Sequence, residues 1–176
     1  MTSSSFNMEY QAGAVPADRR GQISQDALLL FGRVIMALIF VQSGFGKLLD
    51  IGAFSASLAS KGVPFASAFG VIGACVEFFG GLAVLAGWQT RYAAALIAAF
   101  TVVATLISHR YWEYADAARR AQEVNFQKNV CIIGGYLVLI ASGGGRFSLD
   151  GLLRKRFGLK RDPASGPSVL SRTRLI

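Results

Sequence analysis

Four long apolar segments, separated by short polar stretches, dominate the chain. They cover residues 25–49, 65–86, 91–108 and 126–142. A helix needs about 20 mostly apolar residues to cross the ~30 Å hydrocarbon core of a bilayer, so the pattern indicates four transmembrane helices. The apolar part of the fourth segment is short. Either its polar first turn at residues 127–129 lies in the headgroup region or the protein interior, or the bundle thins the bilayer.

The connections between these segments also carry helical patterns. Ile51, Phe54 and Leu58 recur at helical spacing, which predicts a short helix in the interface plane, ended by Gly62 and Pro64. Residues 113–126 form a polar amphipathic segment, which predicts a second interfacial helix on the same side. The expected fold class is therefore all-α: a polytopic membrane protein with four transmembrane helices in an antiparallel bundle and short interfacial helices.

The polar ends of the chain differ from its middle. Residues 1–24 have no apolar period and are predicted to be a disordered tail. Residues 25–153 form the predicted membrane domain, with an interfacial continuation of the last span at residues 147–153. Residues 154–176 contain seven Lys and Arg and are predicted to be a basic, disordered cytoplasmic tail.

Composition supports the membrane assignment. The chain of 176 residues is 53% hydrophobic, contains 20 glycines and has only 16% charged residues, whereas soluble domains average about 25% charged. The net charge of +8 raises the possibility of nucleic-acid binding. Because the basic residues flank apolar segments, we expect anionic lipid headgroups as their partner and no nucleic acid.

The distribution of positive charge predicts an orientation. The N-terminal segment, the second connection and the C-terminal part together carry eleven Lys and Arg, and the first and third connections carry six. By the positive-inside rule, both termini lie in the cytoplasm, which agrees with an even number of spans. The N-terminus lacks an apolar signal-peptide region. The expected location is the bacterial inner membrane.

Two charged residues lie inside apolar spans, Arg33 in the first and Glu77 in the second. A lone charge at the bilayer centre costs about 2.5–3.5 kcal/mol on insertion scales, so such residues usually face the bundle interior and each other. We therefore predict a structural ion pair between Arg33 and Glu77. The functional alternative is a site for a polar head, such as a quinone carbonyl, or a proton-relay position.

Three further polar residues lie at helix ends on one side of the predicted bundle. Lys47, His109 and Lys128 fall on the non-cytoplasmic side, with Glu77 below them. Together they are the candidate lining of a polar cavity between the helices, where bundle ligands commonly bind, and the candidate ligand is a quinone. The structural alternatives are headgroup anchors for the lysines and a helix C-cap for His109.

The sequence does not predict a haem site, a metal site or a catalytic nucleophile. His109 is the only histidine, so a haem held by two histidines within this subunit is not expected. No metal-ligand spacing or nucleophile triad is present, and no catalytic residue is predicted. Cys75 and Cys131 lie in apolar runs without a CxxC motif, and we expect both to be small buried residues. Whether they are redox-active stays open.

Several short motifs occur in a characteristic order. They are FVQSGFGK at residues 40–47 after Arg33, residues 62–64 and 75–81, GWQTR at 87–91, residues 104–109, QKN at 127–129 and GRFSLD at 145–150. In order and spacing they resemble the DoxX family of small four-helix bacterial integral membrane proteins, from roughly residue 28 to residue 153.

The resemblance implies membrane-associated redox work, since DoxX-family members include a thiosulfate:quinone oxidoreductase and members of thiol-stress assemblies. The leading hypothesis is a small integral subunit of a quinone-linked redox assembly, with no redox metal of its own. It would be a non-catalytic subunit that docks a protein partner or holds a quinone. The alternatives are a structural accessory subunit of a larger membrane complex, and a small-molecule transporter or channel formed by a homo-oligomer.

Overall fold

The structure, a computed structural model, describes residues 19–157, so residues 1–18 and 158–176 of the two predicted tails lie outside the described part of the chain. The described residues are helical apart from short connections. The helices are α1 (Arg19–Leu49), α2 (Ile51–Ser60), α3 (Ala66–Ala86), α4 (Thr90–Ser108), α5 (Asp116–Ser142) and α6 (Leu149–Phe157). A single 3-10 turn, Tyr111–Glu113, precedes α5.

Four of these helices, α1, α3, α4 and α5, are long and apolar enough to cross a membrane. α1 packs along α3, α3 along α4, and α4 along α5, so that successive spans are antiparallel neighbours. The predicted all-α bundle of four spans is therefore confirmed. The short helix α2 packs on α3, and the carboxylate of Asp50 caps its start by accepting from Ala53 N at 3.0 Å.

Helix boundaries differ from the prediction at three places. α1 begins at Arg19, so residues 19–24 of the predicted N-terminal tail are helical. Residues 154–157 of the predicted C-terminal tail belong to α6. The predicted interfacial helix at residues 113–126 is wrong, because most of it is the first part of α5, which continues straight into the fourth span. No Gly or Pro interrupts that helix before Gly134, so nothing separates its polar and apolar parts.

Small residues let the spans approach closely. A Cβ atom added at Gly44 of α1 would lie 2.5 Å from the backbone N of Phe78 in α3, and one at Gly81 would lie 3.0 Å from the backbone N of Val41. Ala37, Ala74 and Ala94 are fully buried between the helices. In a membrane, close packing of this kind replaces the hydrophobic effect as a source of helix association.

The outer surface of the spans is apolar, as expected for contact with lipid. Phe31, Phe79 and Leu137 are among the many large apolar side chains that are more than half exposed. The prediction that both cysteines are buried is wrong for Cys131, which lies on the exposed side of α5. Cys75 is half-buried, and both thiols are free. Helical periodicity did not decide this point, because residues 130–141 of α5, around Cys131, contain no charged side chain on any face.

Candidate functional site

Arg33 and Glu77 do not form the predicted ion pair. Glu77 of α3 lies level with Ser43 and Lys47 of α1, which are ten and fourteen residues beyond Arg33. At ~1.5 Å per residue, Arg33 is about 15–21 Å away along the same helix. The two charges therefore lie at different levels of the bundle, each displaced towards a different end. We call these ends the cavity end, around Lys47 and Glu77, and the junction end, around Arg33.

At the junction end, Arg33 binds backbone carbonyl groups. Its guanidinium donates from Nη1 to the carbonyl oxygen of Gly144 and from Nη2 to that of Phe147, both at 2.7 Å. Gly87 lies against it, because a Cβ there would be 2.5 Å from Nη1. The buried Nε has no partner among the described residues. Arg33 thus fastens the loop after α5 to α1, and its role in the described structure is architectural.

Two carboxylates complete the junction. Asp150 accepts from the backbone N atoms of Gln89 and Thr90 at 2.8 Å and from the Thr90 hydroxyl at 2.7 Å. It therefore caps α4 from a distant part of the chain. Asp26 is buried in α1 and accepts from the backbone N of Arg146 at 3.0 Å, with that residue's Nε 3.9 Å from its other oxygen.

At the cavity end, the partner of Glu77 is Lys47. The Lys47 ammonium donates to Glu77 Oε2, and the Ser43 hydroxyl lies 3.5 Å from each carboxylate oxygen. The Glu77 side chain is only 7% exposed, whereas that of Lys47 is 27% exposed. A buried carboxylate of this kind needs its partner, since removing one member of such a pair leaves an uncompensated charge.

A polar cavity of about 210 Å³ adjoins this ion pair, between α1, α3, α4 and α5. All four residues of the predicted ligand site, Lys47, Glu77, His109 and Lys128, line it. Further lining comes from Ile39, Phe40, Ser43, Phe100, Thr101, Ala104, Ser108, Asn129 and Ile132. The structure therefore brings the predicted site residues together, while their binding of a ligand stays a prediction.

The remaining polar groups of the cavity are held by neighbours on α5. His109 ends α4 as its C-cap, as one reading of the sequence predicted. Its Nδ1 lies 2.8 Å from Gln122 Oε1. An amide oxygen only accepts, so in this pair the ring nitrogen is the donor and the Gln122 side chain is the acceptor. Lys128 is exposed at the rim and donates to Asn125 Oδ1 at 3.1 Å.

Two polar contacts between distant parts of the chain were not predicted from the sequence. Asn129 donates to the hydroxyl of Thr105 at 2.9 Å and joins α5 to α4 beside the cavity. Its signal was present, because an amide stands in the polar turn at the start of the fourth apolar segment. The capping of α4 by Asp150 had a weaker signal, namely that Gln89, the residue before α4, is not of a type that commonly caps a helix start.

The chain is similar to known membrane proteins. A sequence profile of the DoxX family matches residues 28–110. Inner membrane protein YphA of Escherichia coli is 32% identical over 127 residues, which is 72% of this chain and 91% of the relative. Inner membrane protein YqjF of E. coli is 33% identical over 133 residues, 76% of this chain and 97% of the relative.

A more distant similarity joins the chain to ER-derived vesicles protein ERV29 of Saccharomyces cerevisiae. It is 24% identical over 123 residues, which is 70% of this chain but only 33% of the relative. No solved structure matches the chain.

Proposed function

This chain belongs to the DoxX family of small inner membrane proteins, and from that membership and its polar cavity we propose that it holds the head of a quinone as a subunit of a membrane redox assembly. The observation that carries the proposal is the convergence of Lys47, Glu77, His109 and Lys128 on one cavity within a largely apolar bundle. Ionisable groups at membrane depth are costly and usually functional.

The cavity offers the groups that a quinone head requires. A quinone carbonyl accepts hydrogen bonds, and the ammonium groups of Lys47 and Lys128 are donors. A hydroquinone hydroxyl donates, and the Glu77 carboxylate is an acceptor, while the His109 ring adds two nitrogens to the lining. At about 210 Å³ the cavity is smaller than the roughly 300–1,000 Å³ of typical small-molecule pockets, which favours a single ring over a larger ligand.

Quinone reduction takes up two electrons and two protons. We assign the transfer of protons to this chain and the supply of electrons to another protein. Glu77 and His109 line the cavity, and we assign them to take up protons from water and pass them to the bound ring. Among residues 19–157, no group of three or more His, Cys, Asp or Glu is positioned to hold a metal ion. In this proposal the electron donor belongs to a protein partner, and this chain is the binding subunit.

The proposal includes an orientation. With both termini in the cytoplasm, the cavity end faces the opposite side of the membrane, and a partner that delivers electrons docks there. Alkaline-phosphatase fusions test this orientation, because the enzyme is active only outside the cytoplasm. A fusion after Pro64 should be active and one after Ser165 inactive, and the reverse pattern would exclude the orientation.

The binding test uses the full chain in lipid nanodiscs, titrated with a short-chain quinone analogue, together with solvent extraction of quinone from the protein purified in mild detergent. Glu77→Gln keeps the size of the side chain but removes its charge, and we expect at least tenfold weaker binding. The matched control is Glu123→Gln, since Glu123 is a carboxylate on α5 that lines neither cavity. Wild-type protein that neither yields nor binds a quinone would refute the proposed function.

A further inference from the structure

A second, larger cavity lies beside the polar one. It is a groove of about 560 Å³ between α2, α3 and α4, and apolar side chains make up most of its lining. The two cavities share four lining residues, namely Lys47, Phe100, Ala104 and Ser108. The apolar groove and the polar cavity are therefore neighbours across a wall one side chain thick.

The shared wall consists of movable side chains. The Lys47 ammonium binds Glu77 on the polar side, and it lies 4.9 Å from the ring centroid of Phe54, which lines the groove. Phe54 and Phe100 both lie near Gly73, where an added Cβ would be 3.9 Å and 3.4 Å from their rings. Rotation of an aromatic ring and the lysine stem would join the two spaces without displacing a helix.

The groove opens sideways to the bilayer. Phe69 and Ile72 of α3 and Val103 and Leu106 of α4 line it, and each is at least half exposed on the lipid-facing surface of the bundle. An apolar chain could therefore enter from the membrane without crossing water. The volume of the groove lies within the range of typical ligand pockets.

We propose that the apolar groove holds the alkyl or isoprenoid chain of the same amphiphile whose head lies in the polar cavity. The ligand is then a compact-headed, long-chained membrane molecule that enters from the lipid between α3 and α4. This inference rests on the proposed function for its head group. It adds the ligand class, the position of the chain and the route of entry.

The charges at the polar end of the groove, on Lys61 and Arg110, favour this occupant over an anionic phospholipid. Lys61 donates to the Ser57 hydroxyl at 2.8 Å, and Arg110 binds Glu113 at 3.0 Å. Both cations thus already have polar partners, and Glu113 cancels one charge. The unfilled polar space lies at the other end of the groove, beyond Lys47, where a compact head would be bound.

The test must locate the chain, because affinity alone is a weak reporter. A chain that moves from lipid into the groove gains no hydrophobic free energy, since both surroundings are apolar. We therefore suggest a quinone analogue with a diazirine in its chain, photolysed with the full-length protein in phosphatidylcholine nanodiscs. Mass spectrometry then maps the labelled residues. A tailless, water-soluble quinone ring serves as competitor and as a separate ligand for titration.

Two matched pairs of variants test the position of the chain. Val103→Trp fills the mouth of the groove, whereas Val102→Trp places the same indole on the neighbouring exposed position outside it. Ile72→Trp and Val71→Trp repeat the comparison on α3. We expect groove labelling to fall about tenfold in the first member of each pair and to be unchanged in the second. The tailless ring should bind all four variants as it binds the wild type.

The outcomes separate this inference from the proposed function. If the ring binds but labelling is equal in Val103→Trp and Val102→Trp, the chain lies elsewhere and only this inference is overturned. If the ring does not bind the wild type, the proposed function is wrong and the head-and-chain link is wrong with it. Displacement of the probe by phosphatidylglycerol, but not by the ring, would assign the groove to a phospholipid and overturn the inference.

Discussion

Double-mutant cycles should separate the observed partner of Glu77 from the one that the sequence suggested. In the first cycle, Glu77→Leu and Lys47→Met are made singly and together. Removing one member of a buried pair typically costs about 3–5 kcal/mol, because the other charge is left unpaired. We expect the lower end of that range here, since the Lys47 side chain is 27% exposed and water can reach it. The coupling free energy should be about 2 kcal/mol, within the range for contacting residues.

The second cycle combines Arg33→Met with Glu77→Leu and so tests Arg33 as the partner of Glu77. Arg33→Met alone should cost about 3 kcal/mol, because two charge-assisted hydrogen bonds to carbonyl groups are lost. Its coupling to Glu77→Leu should be within about 0.5 kcal/mol of zero, as expected for sites further apart than about 10 Å. The free energies come from reversible unfolding in mixed micelles. A coupling above about 1 kcal/mol between Arg33 and Glu77, or none between Lys47 and Glu77, would refute the assignment.

Two further predictions concern packing and capping, and thermal unfolding midpoints in detergent measure both. Gly44→Ala should destabilise the bundle by about 2 kcal/mol or more, because the new Cβ would lie 2.5 Å from the backbone of α3. Gly46→Ala, in open space on the same helix, should stabilise it by up to about 1 kcal/mol, and equal effects would contradict the packing described here. Asp150→Ala removes three hydrogen bonds at the start of α4 and should cost about 2–4 kcal/mol. Glu113→Ala removes a half-exposed ion pair and should change stability by less than about 1 kcal/mol. Equal losses of stability in Asp150→Ala and Glu113→Ala would exclude the capping role of Asp150.

The spans were predictable because the bilayer imposes a length and an apolar composition on each. The predicted end of the second span at residue 86 and of the third at residue 108 agree with α3 and α4. The errors fall where polar residues continue a helix, at the starts of α1 and α5 and at the end of α6. At these places the helix continues unbroken from one solvent into another, so a change in side-chain polarity does not mark the end of the helix.

The grouping of the polar residues at the cavity end was also predictable. Alternating spans place Lys47, His109 and Lys128 on one side of the membrane, and Glu77 is the one acidic residue within the apolar core of a span. The position of each residue along its span and the side of the membrane on which it lies were enough to predict that these four residues are close together. Their exact partners were a different matter, because several donors at similar depth could reach the same carboxylate.

The sequence by itself determined the number of spans and their antiparallel order, since these follow from apolar length and chain direction. Only the tertiary structure decided that Glu77 pairs with Lys47 and that Arg33 binds the carbonyl oxygens of Gly144 and Phe147. Charge sign made Arg33 and Glu77 look like partners, but the register of α3 against α1 sets Glu77 level with Lys47, about 15 Å or more from Arg33. Every residue has a backbone carbonyl, so a partner of that kind leaves no mark in the sequence.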